Sequence, residues 1–155
     1  MMNTTLSVTT MQWLCHRNYH PENLDWRGDN GDTALMKATR ESHNEIVKEL
    51  IEAGAELNLR NNDGNNALWF ACFANNFEII NLLLASGINL DNQNDNGATA
   101  LMYAASAGKT EVLRLLLKAG ANTELANLDD FKAIDFAGNM EILKELKYAT
   151  RSSYR

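Results

Sequence analysis

The sequence predicts an all-α repeat solenoid of helix-turn-helix units, and three observations predict it. Glycines recur every 33 residues, as Gly31, Gly64 and Gly97 and again as Gly54, Gly87 and Gly120. Alanines keep the same interval in two more columns: Ala34, Ala67, Ala100 and Ala133, and Ala38, Ala71, Ala104 and Ala137. Apolar residues between these columns repeat at helical spacing. Several independent columns at one period are the signature of a repeat protein.

The elements follow in order along the chain. Residues 1–23 do not align with a full repeat. Met11, Leu14 and Cys15 suggest one amphipathic capping helix with Thr9 or Thr10 as its N-cap, closed by Pro21. Leu24 and Trp26 match Leu57 and Leu59 in register. Asn30-Gly31, Asp63-Gly64 and Asn96-Gly97 are tight-turn dipeptides, in which glycine supplies positive φ without strain. Each is followed by a short helix that opens Ala-Leu and carries a small residue (Ala38, Ala71 or Ala104) where a neighbouring backbone comes close.

A longer second helix is marked by Ile46, Val47, Leu50 and Ile51, then Ile79, Ile80, Leu83 and Leu84, then Val112, Leu113, Leu116 and Leu117. That spacing lays the apolar stripe on one side. Gly54, Gly87 and Gly120 stop these helices by offering the left-handed C-terminal conformation. From Phe131 to Leu146 the pattern is truncated. "FAGNMEIL" lacks three residues relative to "FACFANNFEII", so its first helix should be short, and Asp130 stands where the turn glycine belongs. Lys144 and Lys147 make that end polar, and the basic segment from Tyr148 to Arg155 reads as a frayed tail.

Two stretches, "NGDTALMKATRESHNEIVKELIEAGAELN" and "NGATALMYAASAGKTEVLRLLLKAGANTE", resemble ankyrin repeats, whose family pattern includes T-P-L-H-x-A at this period. The resemblance covers residues 24–146. It implies paired antiparallel helices with a β-hairpin-like loop projecting at each junction. The division expected is a capping helix with a first hairpin strand over 1–28, repeats over 29–61, 62–94 and 95–127, a truncated capping repeat over 128–146, and a polar tail over 147–155. The family proline is replaced by Ala34, Ala67 and Ala100, and the family histidine by Met36, Trp69 and Met102. The hydroxyl–imidazole bonds that lace such repeats are therefore missing, and Met and Trp must pack in their place.

Partners of ankyrin-like proteins dock on the concave face, made by the loop tips and the exposed side of the first helices. Carried over by position, the resemblance marks Trp69 and Phe73 as an aromatic centre, with Leu68, Ala71 and Cys72 turned to the core. It flanks them with the pairs Met36 and Arg40, Met102 and Ser106, and Asp135 and Asn139. Trp69 has two readings, an interface anchor or a filler of the gap left by the histidine. Phe70 and Tyr103 are expected to pack between repeats, and Trp26 to cover the edge of the first. The tips carry Asp29, Asn30, Asp32, Asn62, Asp63, Asn65, Asp95, Asn96, Asp129 and Asp130. This is either an acidic ridge that steers a basic partner or turn chemistry alone, with Asp32 the freest to be functional. Asn58, preceded by Glu56-Leu57, resembles the asparagine that oxygen-dependent hydroxylases modify in animal ankyrin repeats.

Composition narrows the function classes. The formal net charge of −6 disfavours nucleic acid and anionic membrane surfaces, both of which need surplus Lys and Arg. Cys15 and Cys72 imply no disulfide framework. No signal segment is evident, and the longest apolar run, Ala67 to Ala74, falls far short of the ~18 residues of a membrane span. A cytoplasmic monomer is expected. His16, His20 and His43 lack metal spacing with the cysteines, and His43 is read as a helix cap. Neither a nucleophile elbow nor a phosphate-cradling loop is present. Asn3-Thr4-Thr5 fits a glycosylation acceptor. The expectation is a cofactor-free adaptor or inhibitor that binds an unidentified protein. A structural or self-associating protein is the alternative, and an enzyme the second.

Overall fold

The computed structural model describes residues 5–152. Asn3 and Thr4 of the glycosylation acceptor and the tail beyond residue 152 lie outside the described residues. The chain divides into two compact units, one ending at Asn89 and the other beginning at Leu90. The described residues form eight α-helices and two 3₁₀ turns, with no strand.

The first unit holds α1 (Val8–His16), α2 (Ala34–Arg40), α3 (Asn44–Glu52), α4 (Ala67–Phe73) and α5 (Phe77–Ala85). Helix α2 packs on α3 and α4, α4 on α5, and α3 on α5. Each first helix begins where a side chain takes over an orphan backbone donor. Thr33 Oγ1 accepts the Met36 N–H at 3.3 Å, and Asn66 Oδ1 accepts the Leu68 N–H at 3.1 Å; such caps contribute about 1 kcal/mol each. Leu35, Leu68, Val47, Leu50, Ile80 and Leu83 are buried, each stabilising by about 1.5–3 kcal/mol. Helix α3 ends at Glu52, and just beyond it Gly54, with a φ of 93°, lets the Ala55 N–H reach back to Leu50 O at 3.0 Å. A Cβ at Gly54 would meet nothing within 4 Å, so the requirement there is conformational and not steric.

The capping helix differs from its expectation. Ser7, not Thr9 or Thr10, is the N-cap, accepting the Thr10 N–H at 3.1 Å. The buried face is Thr10, Trp13 and Leu14, while Met11 and Cys15 are exposed. The physical reason is polar: Thr10 is drawn inward by the Glu49 carboxylate at 2.9 Å. Helix α1 ends at His16 with Arg17 as C-cap, well before Pro21. Trp26 stays 47% exposed and stacks edge-on against His20. His43 sits at the N-cap of α3 but makes no side-chain cap bond, and its Nε2 instead lies 3.2 Å from Glu41.

The second unit holds α6 (Ala100–Ser106), α7 (Thr110–Lys118), a 3₁₀ turn (Ala133–Phe136) and α8 (Met140–Ser152). Thr99 Oγ1 caps α6 through the Met102 N–H at 3.2 Å. The three-residue deletion shortens the last first-helix to the 3₁₀ turn, which packs on α6. Asp130 adopts a φ of 68°, against 72°, 79° and 74° for Gly31, Gly64 and Gly97. Tyr148 to Ser152 are helical, contrary to the frayed tail expected there. Ile142 and Leu146 are buried and keep the helical stripe running into that segment.

Candidate protein-binding surface

The junction loops are built from one repeated backbone closure. Gly28, Asn61, Asn94 and Asn127 each donate their N–H to the carbonyl four residues on, at 2.8, 2.9, 2.9 and 2.8 Å. Asparagine serves three of these positions because its side chain braces the turn. Asn61 Oδ1 accepts from Asp63 N and Asn65 N, Asn94 Oδ1 from Asn96 N and Ala98 N, and Asn127 Oδ1 from Asp129 N and Phe131 N. At the first position the residue is glycine for a steric reason. A Cβ on Gly28 would lie 2.9 Å from Tyr19 Oη, and that hydroxyl donates to Asp32 O at 3.0 Å. Burial, followed by the nearby Asp32 carboxylate, pushes the Tyr19 phenol up to about 12.

Two further columns tie neighbouring repeats together inside each unit. Asp25, Asn58 and Asp91 turn a side-chain oxygen to a backbone N–H 31 residues later, at Glu56, Asn89 and Asn122, over 3.0, 2.7 and 2.8 Å. Arg27, Arg60 and Gln93 reach the opposite way as donors. Arg27 Nη1 binds Gly31 O and Arg60 O, Arg60 Nε binds Gly64 O, and Gln93 Nε2 binds Gly97 O and Ala126 O. Asn58 is exposed, with its carbonyl oxygen occupied by Asn89.

Against this frame, four of the expected contact residues are internal. Met36 and Met102 are 1% and 3% exposed, filling the histidine position as core. Asp32 is 3% exposed and is a buried hub. Its Oδ2 accepts from Arg40 Nη2 at 2.7 Å and its Oδ1 from Asn61 Nδ2 at 2.9 Å. Asn65 is buried inside its braced turn. These four offer no surface to a partner. Phe73 is 60% exposed, one turn beyond the half-buried Trp69, while Leu68, Ala71 and Cys72 are buried. Arg40 is exposed at its tip, paired with Asp32, and lies over the Phe70 ring at 4.4 Å. In the second unit Ser106, Asp135 and Asn139 are exposed. Sequence reading missed Phe77, 43% exposed at the start of α5. The signal was available, since Phe77 falls outside the Ile79, Ile80 and Leu83 stripe.

Two carboxylates of the first repeat hold α1. Burial would raise the Glu41 carboxyl, yet hydrogen bonds from Arg17 and the Trp13 indole keep it below its ordinary value. Glu49 is likewise raised by burial but lowered overall by the Ser7 N–H and the Thr10 and Ser7 hydroxyls.

Helix pairs capped by Thr or Asn, closed by left-handed glycines and joined by braced turns make this a repeat protein of helix-turn-helix units. The family model for ankyrin repeats (3 copies) matches residues 3–94, 60–129 and 83–152, and the chain belongs to the ankyrin-repeat family. Ankyrin repeats are in general protein–protein interaction modules. No curated protein matches the chain. Among the described residues no cluster of three or more His, Cys, Asp or Glu could hold a metal, and no helix is long and apolar enough to cross a membrane.

Proposed function

We propose that the chain is a cytoplasmic adaptor or inhibitor that grips a partner protein through the exposed side of its first helices. On the first unit the contact residues are Phe73, Trp69 and Arg40. On the second they are Ser106 and its neighbours. The observation that carries the reading is Phe73, 60% exposed on a helix whose opposite side is wholly buried. A large aromatic held in water by a rigid helix costs free energy that a partner's pocket recovers. The exposed tip carboxylates, among them Asp29, Asp95 and Asp129, favour a basic rim on that partner.

The test is affinity capture from the source cells with wild type, Phe73→Ala, and a Trp69→Ala/Phe73→Ala double variant, each checked for an unchanged helical spectrum. A protein retained by wild type and lost from both variants supports the site. Equal retention by all three sinks it.

Self-association is the second reading, favoured by one observation in the second unit. Leu128, Phe131 and Met140 are 77%, 49% and 65% exposed. Sedimentation equilibrium decides this: mass rising with concentration supports it, and a constant monomer mass excludes it.

A further inference from the structure

A groove of about 920 Å³ in the first unit runs between the end of α1 and the first junction loop. It reverses the charge of the chain. The protein carries 14 Lys and Arg against 20 Asp and Glu, yet Arg17, Arg27, Lys37 and Arg40 all line this one groove, facing only Asp29 and Asp32. Asp32 is internally spent on Arg40 and Asn61, and Arg17 and Lys37 share Glu41.

Arg27 stands apart from the other three cations. Among the described residues its bonds run from Nη1 alone, to the carbonyls of Gly31 and Arg60, and no carboxylate neutralises it. Its Nε–H and Nη2–H, the parallel edge of the guanidinium fork, make no bond within the described residues. That edge matches the two oxygens of a carboxylate, and charge-assisted forked pairs are among the strongest polar contacts available. The two carbonyls already fix the fork in place, which lowers the ordering cost of binding. Beside it in sequence, Trp26 lines the same groove, 47% exposed and braced at 4.6 Å by the His20 ring.

We infer that this groove binds an extended acidic segment of a partner protein, with an Asp or Glu carboxylate on the Arg27 fork and an adjacent apolar side chain on Trp26. Polyanions such as nucleic acid fit less well, since the net charge of −6 repels a long run of phosphates. The inference stands independently of the Phe73 surface.

The natural repeat supplies the diagnostic variant. Gln93 occupies the position of Arg27 two periods later and binds the corresponding carbonyls, Gly97 O and Ala126 O. Arg27→Gln therefore keeps the inter-repeat bonds and removes only the charge and the fork. The probe is a fluorescein-labelled peptide of alternating Glu and Leu, titrated into the full chain and read by anisotropy, with a Lys-Leu peptide as control. Saturable binding of the acidic peptide is expected, weakened on the order of tenfold by Arg27→Gln at an unchanged melting temperature. Trp26→Ala should weaken it too, and Phe73→Ala should leave it unchanged. Absence of saturable binding, equal binding of the Lys-Leu peptide, or an Arg27→Gln affinity equal to wild type overturns the assignment. Displacement of the acidic peptide by equimolar inorganic phosphate also overturns it, marking a small-anion site instead.

Discussion

The side-chain oxygen of Asn58 accepts the backbone N–H of Asn89 at 2.7 Å. The residues one period away, Asp25 and Asp91, make the same bond with a carboxylate. The bond needs an acceptor at that reach, and nothing about it requires an amide. Asn58→Asp should therefore leave stability within about 0.5 kcal/mol of wild type, while Asn58→Ala should cost about 1 kcal/mol. Urea melts read the stability. Hydrogen exchange at the Asn89 amide reads the bond itself, and unchanged protection in Asn58→Ala would contradict it.

Thr39 should be a site where polarity is removed to advantage. It is fully buried, and its hydroxyl oxygen has no hydrogen-bond partner among the described residues. The positions one and two periods on are Cys72 and Ala105, both without a hydroxyl. Thr39→Val keeps the shape and should stabilise the fold by about 1 kcal/mol. A lower denaturation midpoint in the variant would show that Thr39 bonds to something in solution.

Gly28 makes the opposite case, in which the repeat's own preferred residue should do harm. Asparagine fills the matching positions 61, 94 and 127. At position 28 it would meet the Tyr19 ring, with a Cβ 2.9 Å from the hydroxyl oxygen. Gly28→Asn should destabilise by about 1–3 kcal/mol. Combined with Tyr19→Ala, the added cost of Gly28→Asn should shrink. A double-mutant cycle with no coupling would rule out the clash.

The hold on α1 should be sensitive to acid. Glu41 and Glu49 have folded-state values below the ordinary 4.5. The stability they contribute is therefore fully present above about 4.5 and is lost as the pH falls through the lower folded values. Wild type should release α1 in acid before the helix pairs melt, read as a shift in Trp13 emission. Glu49→Gln should remove part of that acid dependence. A variant whose acid titration overlays the wild type would sink the assignment.

The parts legible in sequence are those set by period and pattern. The 33-residue columns announced the helix pairs, the apolar stripes named Val47, Leu50, Ile80 and Leu83 as core, and the missing residues in "FAGNMEIL" forecast the short turn at Ala133–Phe136. What escaped was set by contacts between distant residues. Asp32 reads as a loose tip acid until Arg40 and Asn61 close on it. The α1 face follows Glu49, 39 residues from Thr10, more than its own apolar residues. The exposure of Phe73 was legible from its register. The burial of Met36 and Met102 was not, because a methionine fits the buried histidine position as well as an exposed one.

The bonds made by Asp25, Asn58 and Asp91 all span the same 31 residues, and so act as a ruler for the chain between them. A residue inserted into either helix of a repeat would carry the N–H past its acceptor, so repeat length is checked once per period. The next residue in that column is Glu124, and it turns to Lys132 at 3.0 Å, only eight residues away. Among the described residues the ruler ends there, and the three-residue deletion follows, after Ala137. Where no bond measures the distance, the chain has been free to change length.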